Sequence, residues 1–158
     1  MPHNDVLQVL NDPLAQELLR SNIPARLAYT GRDGAPRAIP IAFHWTGQEF
    51  IVCTPPHAAK VQALQVNPRV ALTIDTTSFP PHVLLVRGTA RVEVVDGVPP
   101  EYLAGSRKIV GEQQFPAFEE QVRGLYARMA RIAIVPEWAK LLDFKTRIPR
   151  AVEQLVNR

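Results

Sequence analysis

The sequence predicts an α+β domain built on a mainly antiparallel barrel with peripheral helices, and three observations carry that prediction. Short apolar runs alternate with strong turn chemistry, as at Gly31-Arg-Asp-Gly34, Thr46-Gly47-Gln48 and Asp96-Gly97, which is the pattern of hairpin-linked strands. Helical spacing of apolar residues is confined to short stretches, mostly towards the two ends of the chain. One run, His82 to Val95, is long and carries Gly88 near its middle, where a bulge or sharp bend would curl a sheet towards a barrel.

Taken in order, Asp12-Pro13 reads as an N-cap and first-turn proline for an amphipathic helix carrying Leu14, Leu18 and Leu19 and ending near Asn22. Pro24 breaks it, and Ala25 to Thr30 alternates as a first strand, closed by the Gly31–Gly34 turn. The stretch Ala35 to Trp45 reads as the next strand, with Arg37, Ile39 and Ile41 on one face and Ala38, Pro40 and Ala42 on the other. Pro40 lacks an N–H to donate, so it implies a sheet edge, a bulge, or a ladder interrupted where a ligand approaches. The Gly47 turn makes this strand and Glu49–Thr54 an antiparallel pair. Pro55-Pro56 ends the ladder, and a short helix with Val61 and Leu64 follows until Asn67-Pro68 stops it.

Lys60 falls in the first turn of that helix. A cation there opposes the helix dipole, so its placement suggests an anion sharing the free N–H groups of the helix end; the alternative is a solvated surface lysine. A strand over Arg69–Asp75, a loop at 76–81 and the long strand from His82 come next. Helices are expected from Pro99-Pro100 to about Val110, stopped by Gly111, and from Pro116 to about Met129. Arg131–Val135 reads as a final strand, Pro136–Lys145 as a segment closing over the barrel, and Pro149–Arg158 as a short helix. Trp138, just past the last strand, could stack on a flat ring system or sit partly buried with its N–H on a carbonyl.

A chain of 158 residues with 46% hydrophobic and 21% charged residues is expected to be one domain over 1–158 with a real core. Its longest apolar runs are too short to span a bilayer. Asn4, Asp5 and Gln8 do not suit a signal peptide, so a cytoplasmic protein is expected. The single Cys53 agrees, and its apolar neighbours favour a small buried residue over a reactive thiol. Basic residues are dispersed without interleaved aromatics, which argues against a nucleic-acid surface. The modest excess of Lys and Arg over Asp and Glu, 18 against 15, suits a phosphate-bearing small molecule.

Arg37 with Ile39-Pro40-Ile41, the strand ending at Thr54, Lys60, Leu64, Asn67-Pro68-Arg69-Val70 and a strand ending in Asp75 together resemble the pyridoxamine 5′-phosphate oxidase-like, flavin-binding split-barrel family. The resemblance covers roughly Ile23 to Arg91. It implies a split barrel, FMN held at the interface of a homodimer, and hydride transfer to or from a small-molecule substrate. It places Arg37, Thr54 and Lys60 at the FMN phosphate, the backbone of Ile39, Pro40 and Ile41 along the isoalloxazine ring, and Trp138 more loosely beside it. Family members acting on pyridoxamine phosphate carry an Arg-rich motif near the C-terminus, which Arg147-Ile-Pro-Arg150 does not match. A general flavin-dependent reductase or oxidase therefore fits better than vitamin B6 oxidation.

The residues themselves are compatible with this. No nucleophile elbow, dinucleotide fingerprint or P-loop is present, and the four histidines show no zinc spacing, so no metal is expected. An enzyme lacking such sets takes its reactive group from a cofactor. Three alternatives stand beside FMN. A deazaflavin coenzyme, with a long acidic tail, would favour additional cations near the phosphate, where Ala58 and Ala59 offer none. A haem-binding relative would need an axial ligand from His44, His57 or His82. A non-enzymatic flavin-binding dimer needs neither.

Overall fold

A computed structural model describes residues 1–157. The chain runs α1 (His3–Leu10), α2 (Pro13–Arg20), β1 (Ala25–Thr30), β2 (Pro36–Ile41), β3 (His44–Trp45), β4 (Phe50–Thr54), α3 (Ala59–Val66), β5 (Arg69–Asp75), β6 (Val83–Asp96), α4 (Pro100–Val110), α5 (Phe115–Leu125), β7 (Arg128–Leu142) and α6 (Arg150–Val156). All strands join one antiparallel sheet in the order β2-β1-β5-β6-β7-β4-β3.

The expected strand from Ala35 to Trp45 is two strands. Its first part, β2, pairs only with β1 at one edge of the sheet, and its second part, β3, pairs only with β4 at the other. Only Ala42 and Phe43 connect them. Two residues span less than about 11 Å even with their flanking bonds extended, so the two edges must lie close together. The sheet is therefore curled almost shut and left open along one seam, which is the split barrel. Phe43 is 1% exposed and is drawn into the core at the crossing, which takes it out of either ladder.

Gly88 performs the bend expected of it. The β6–β7 register shifts between Arg87 and Gly88, and an added Cβ at Gly88 would stand 2.2 Å from the Val135 carbonyl oxygen. The same pairing corrects the reading of the C-terminal segment. Pro136 to Leu142 does not close over the barrel; it continues β7 beyond the bulge and pairs with Val83–Gly88. Pro136 is accommodated opposite Gly88, next to Glu137, the extra residue that bulges β7 and interrupts the ladder. α5 stops at Leu125, short of the expected Met129, because Met129 is already inside β7 and fully buried.

The barrel interior is filled by Leu27, Phe50, Val52, Leu72, Ile74, Leu84, Val86, Ile132 and Ile134. Val6 and Leu10 of α1 and Leu18 and Leu19 of α2 join this cluster. α1 was absent from the sequence-based expectation, although the i, i+4 pair Val6/Leu10 is the trace it leaves. On the outer face of β4 and β7 a second cluster, Ile51, Cys53, Met129 and Ala133, is covered by Tyr102 and Tyr126. β4 is thus buried on both faces, which is why its sequence is apolar up to Thr54. No helix of the described residues is long and apolar enough to cross a membrane.

Candidate functional site

At the seam between β2 and β4 lies a cavity of about 400 Å³. Ile39, Pro40, Ile41 and Ala42 form one wall, Cys53, Thr54, Pro55 and Met129 another, and Tyr102, Ser106, Ile109, Val110 and Phe118 the cover, with Lys60 at its polar end. Each element arrives for a local reason. Pro55, beyond β4, turns the chain into α3, whose N-cap Ala58 provides no side-chain acceptor, so the first-turn N–H groups lack the usual capping oxygen. α4 is drawn against the sheet by Gly105, whose missing Cβ lets the Phe43 carbonyl approach to where a Cβ would be 2.6 Å away, and by Glu101, which accepts from Arg131 Nε at 2.8 Å.

Thr54 is 5% exposed, and its Oγ1 accepts from Lys60 Nζ at 3.1 Å. Lys60 has no carboxylate partner in the salt bridges of the described residues. Burial lowers its pKa, because a partly desolvated ammonium without a counter-charge disfavours its proton. A cation in a helix's first turn, bonded only to a hydroxyl and facing a cavity, is arranged to meet an anion. The remaining walls are apolar with two hydroxyls, Tyr102 and Ser106; burial raises the Tyr102 pKa, so that phenol stays protonated near neutrality.

The cavity brings together Ile39, Pro40, Ile41, Thr54 and Lys60. Arg37 and Trp138 lie elsewhere. Arg37 is exposed and donates from Nη2 to Asp33 Oδ2 at 2.8 Å. It lines a separate depression with Tyr29, Arg32, Asp33 and Gln62 that meets α3 at Ala59, so Arg37 and Lys60 flank the same helix start from two sides. Trp138 sits on β7 opposite Arg87, whose guanidinium carbon is 4.2 Å from the indole centroid. Its flat face is met by an arginine of its own chain. Tyr102, Ser106 and Phe118 were not among the residues expected from sequence, since periodicity on α4 and α5 marks them as packing and cannot say that they pack over a void.

Cys53 also lines the cavity, yet burial pushes its thiol up to about 12. Native protein at pH 8 is therefore expected to leave Ellman's reagent unchanged over minutes and to release one equivalent of chromophore only after unfolding in guanidinium, since the thiolate is the reacting form. Rapid release from the folded protein would show the residue to be activated.

A seamed antiparallel barrel with peripheral helices and a cavity at the seam defines a split-barrel domain. Over residues 12–139 the sequence matches the family described as pyridoxamine 5′-phosphate oxidase, and the chain belongs to that family. No curated protein matches it. Among solved structures, an F420 reductase superposes with a TM-score of 0.62 at 22% identity, covering 79% of this chain and 94% of its own. General stress protein 26 from Bacillus anthracis str. Sterne gives 0.59 at 17% identity over 85% and 96%. The haem storage protein HutZ from Vibrio cholerae gives 0.58 at 17% over 83% and 92%. At these identities the likeness establishes the fold.

Proposed function

We propose that this protein is an oxidoreductase that holds a flavin coenzyme at the seam cavity, with FMN the coenzyme that the cavity's donor set fits. The observation that carries the reading is the partly buried Lys60 ammonium, hydrogen-bonded to Thr54 and lacking a carboxylate, at the uncapped start of α3. A flavin phosphate, close to doubly charged at neutrality, needs charge-assisted donors of this kind. Ile39, Pro40, Ile41 and Met129 offer an apolar wall to a planar ring, and β2, being a sheet edge, keeps one side of its backbone free for the ring's polar rim.

When bound, the flavin supplies hydride transfer. The chain's own part is to orient it, to exclude water with Tyr102, Ile109 and Phe118, and to hold a proton at the Tyr102 hydroxyl. That hydroxyl lies within reach of whatever small substrate shares the cavity. A second copy of the chain completes the site in this reading, covering the exposed side of β2.

A second reading keeps the site and exchanges FMN for the deazaflavin coenzyme. Although Ala58 and Ala59 carry no charge, the fold brings Arg32 and Arg37 into the depression that adjoins Ala59, where a long acidic tail would meet Arg32 and compete with Asp33 for Arg37. Titrating the purified protein with each coenzyme, followed by flavin fluorescence, tests both. Saturable quenching with FMN supports the first reading, and markedly tighter deazaflavin binding that Arg37→Ala weakens supports the second. Absence of saturation with either coenzyme overturns the function.

A further inference from the structure

We propose that a second cavity, on the opposite side of α4 from the seam, binds a small organic anion that carries a flat apolar group. This cavity, about 500 Å³, is bounded by Gln16, Leu19 and Arg20 of the α2 region, by His44 and Trp45 of β3, and by Arg107 and Lys108 of α4. Among the described residues no carboxylate lines it. Arg107 is engaged by Glu112, to which its Nε donates at 2.7 Å, so the free positive charge facing the space comes from Lys108 and Arg20.

Lys108 is the unusual group. Its Nζ donates to the Leu19 carbonyl at 2.9 Å and lies 3.8 Å from the centroid of the buried Phe43 ring. A carbonyl and a ring face soften the cost of placing an ammonium there but do not neutralise it. Burial brings its pKa down to about 8. The nearby imidazole of His44 does not compensate, for burial and then Lys108 itself lower its pKa, with Glu101 acting weakly in the other direction. A partly desolvated cation with no acidic partner, opening on a cavity beside a second cation, takes its counter-charge from a ligand. Trp45 leans on Phe50 with ring centroids 4.6 Å apart, is held in place by it, and presents apolar surface to the same space. Charge and flat surface together select an aromatic acid over a bare inorganic anion.

The chain holds two tryptophans, so in Trp138→Phe the remaining indole, Trp45, reports on this cavity alone. Its fluorescence is titrated with 4-nitrobenzoate, with neutral nitrobenzene and with inorganic phosphate. We expect saturable quenching by 4-nitrobenzoate, only collisional quenching by nitrobenzene, and no response to phosphate at the same concentration. Added to this background, Lys108→Met, which keeps the aliphatic stem over Phe43, and Arg20→Gln, a change at an exposed position, should each weaken 4-nitrobenzoate binding at least tenfold with thermal unfolding preserved. Lys60→Ala, at the seam cavity, should leave it unchanged. Equal quenching by nitrobenzene, full retention of binding in both cavity variants, or loss of binding in Lys60→Ala would overturn the assignment. Because the seam site is read by flavin fluorescence and this one by Trp45, failure of either reading is visible without the other.

Discussion

Replacing Gly88 by alanine lowers the free energy of unfolding by about 3 kcal/mol, the upper end of what forcing atoms into a packed interior costs. The new Cβ would stand 2.2 Å from the Val135 oxygen and 3.2 Å from the Ile134 side chain. The first of these contacts is backbone, so no rotamer change relieves it. Relief requires the β6–β7 bulge to open, and that pair forms the longest ladder in the sheet. For a domain of this size the change corresponds to a fall of about 6–12 °C in melting temperature, measured by circular dichroism. A variant that melts with the parent would mean that the bulge is not needed to curl the sheet.

The second large effect is on ligand binding. Lys60→Ala is expected to weaken FMN at least tenfold, since a hydrogen bond to a charged group contributes about 1.5–3 kcal/mol. The same substitution removes a partly desolvated ammonium that has no counter-charge, so stability should hold or rise slightly. Loss of affinity with an undiminished melting temperature is therefore the expected signature, and it separates a binding role from a structural one. Fluorescence titration and thermal unfolding of the same preparation measure the two quantities. Unchanged FMN affinity would sink the placement of the phosphate at Lys60, whereas Lys60→Arg, which keeps the charge, should retain most of the binding.

Local chemistry made much of the fold legible. Asp12-Pro13 starts α2 with the Asp12 carboxylate accepting from the Leu14 N–H at 2.9 Å, as a capping residue before a first-turn proline should. β1, α3, β5 and β6 lie where alternation, prolines and turn residues place them, because each of those signals acts within a few residues of where it is read. Lys60 likewise falls in the first turn of α3, where the prolines at 55 and 56 start a new element; its hydrogen bond to Thr54 came only with the fold.

Where the sequence misled, long-range packing overrode a local pattern. Ala35–Trp45 is mostly apolar and reads as one extended run, and nothing local marks Ala42-Phe43 as the crossing from one sheet edge to the other. That crossing is decided by the curl of the whole sheet and by Gly105, which allows α4 to press on the Phe43 backbone. Pro136 reads as a strand terminator, yet the ladder runs past it because β7 bulges at the neighbouring Glu137 and Gly88 on β6 leaves room opposite.

By itself, then, the sequence determined the α+β class, the order of most elements, the bend at Gly88 and the position of a cation in the first turn of α3, all consequences of short-range backbone and side-chain chemistry. Only the tertiary structure decided that the seam between β2 and β4 is a cavity roofed by α4 and α5, that Arg37 stands outside it beside Arg32, that Trp138 is met by Arg87, and that Lys108 is left without a counter-charge. Those outcomes depend on which surfaces meet when a curled sheet brings residues from opposite ends of the chain into contact, and no window of neighbouring residues carries that information.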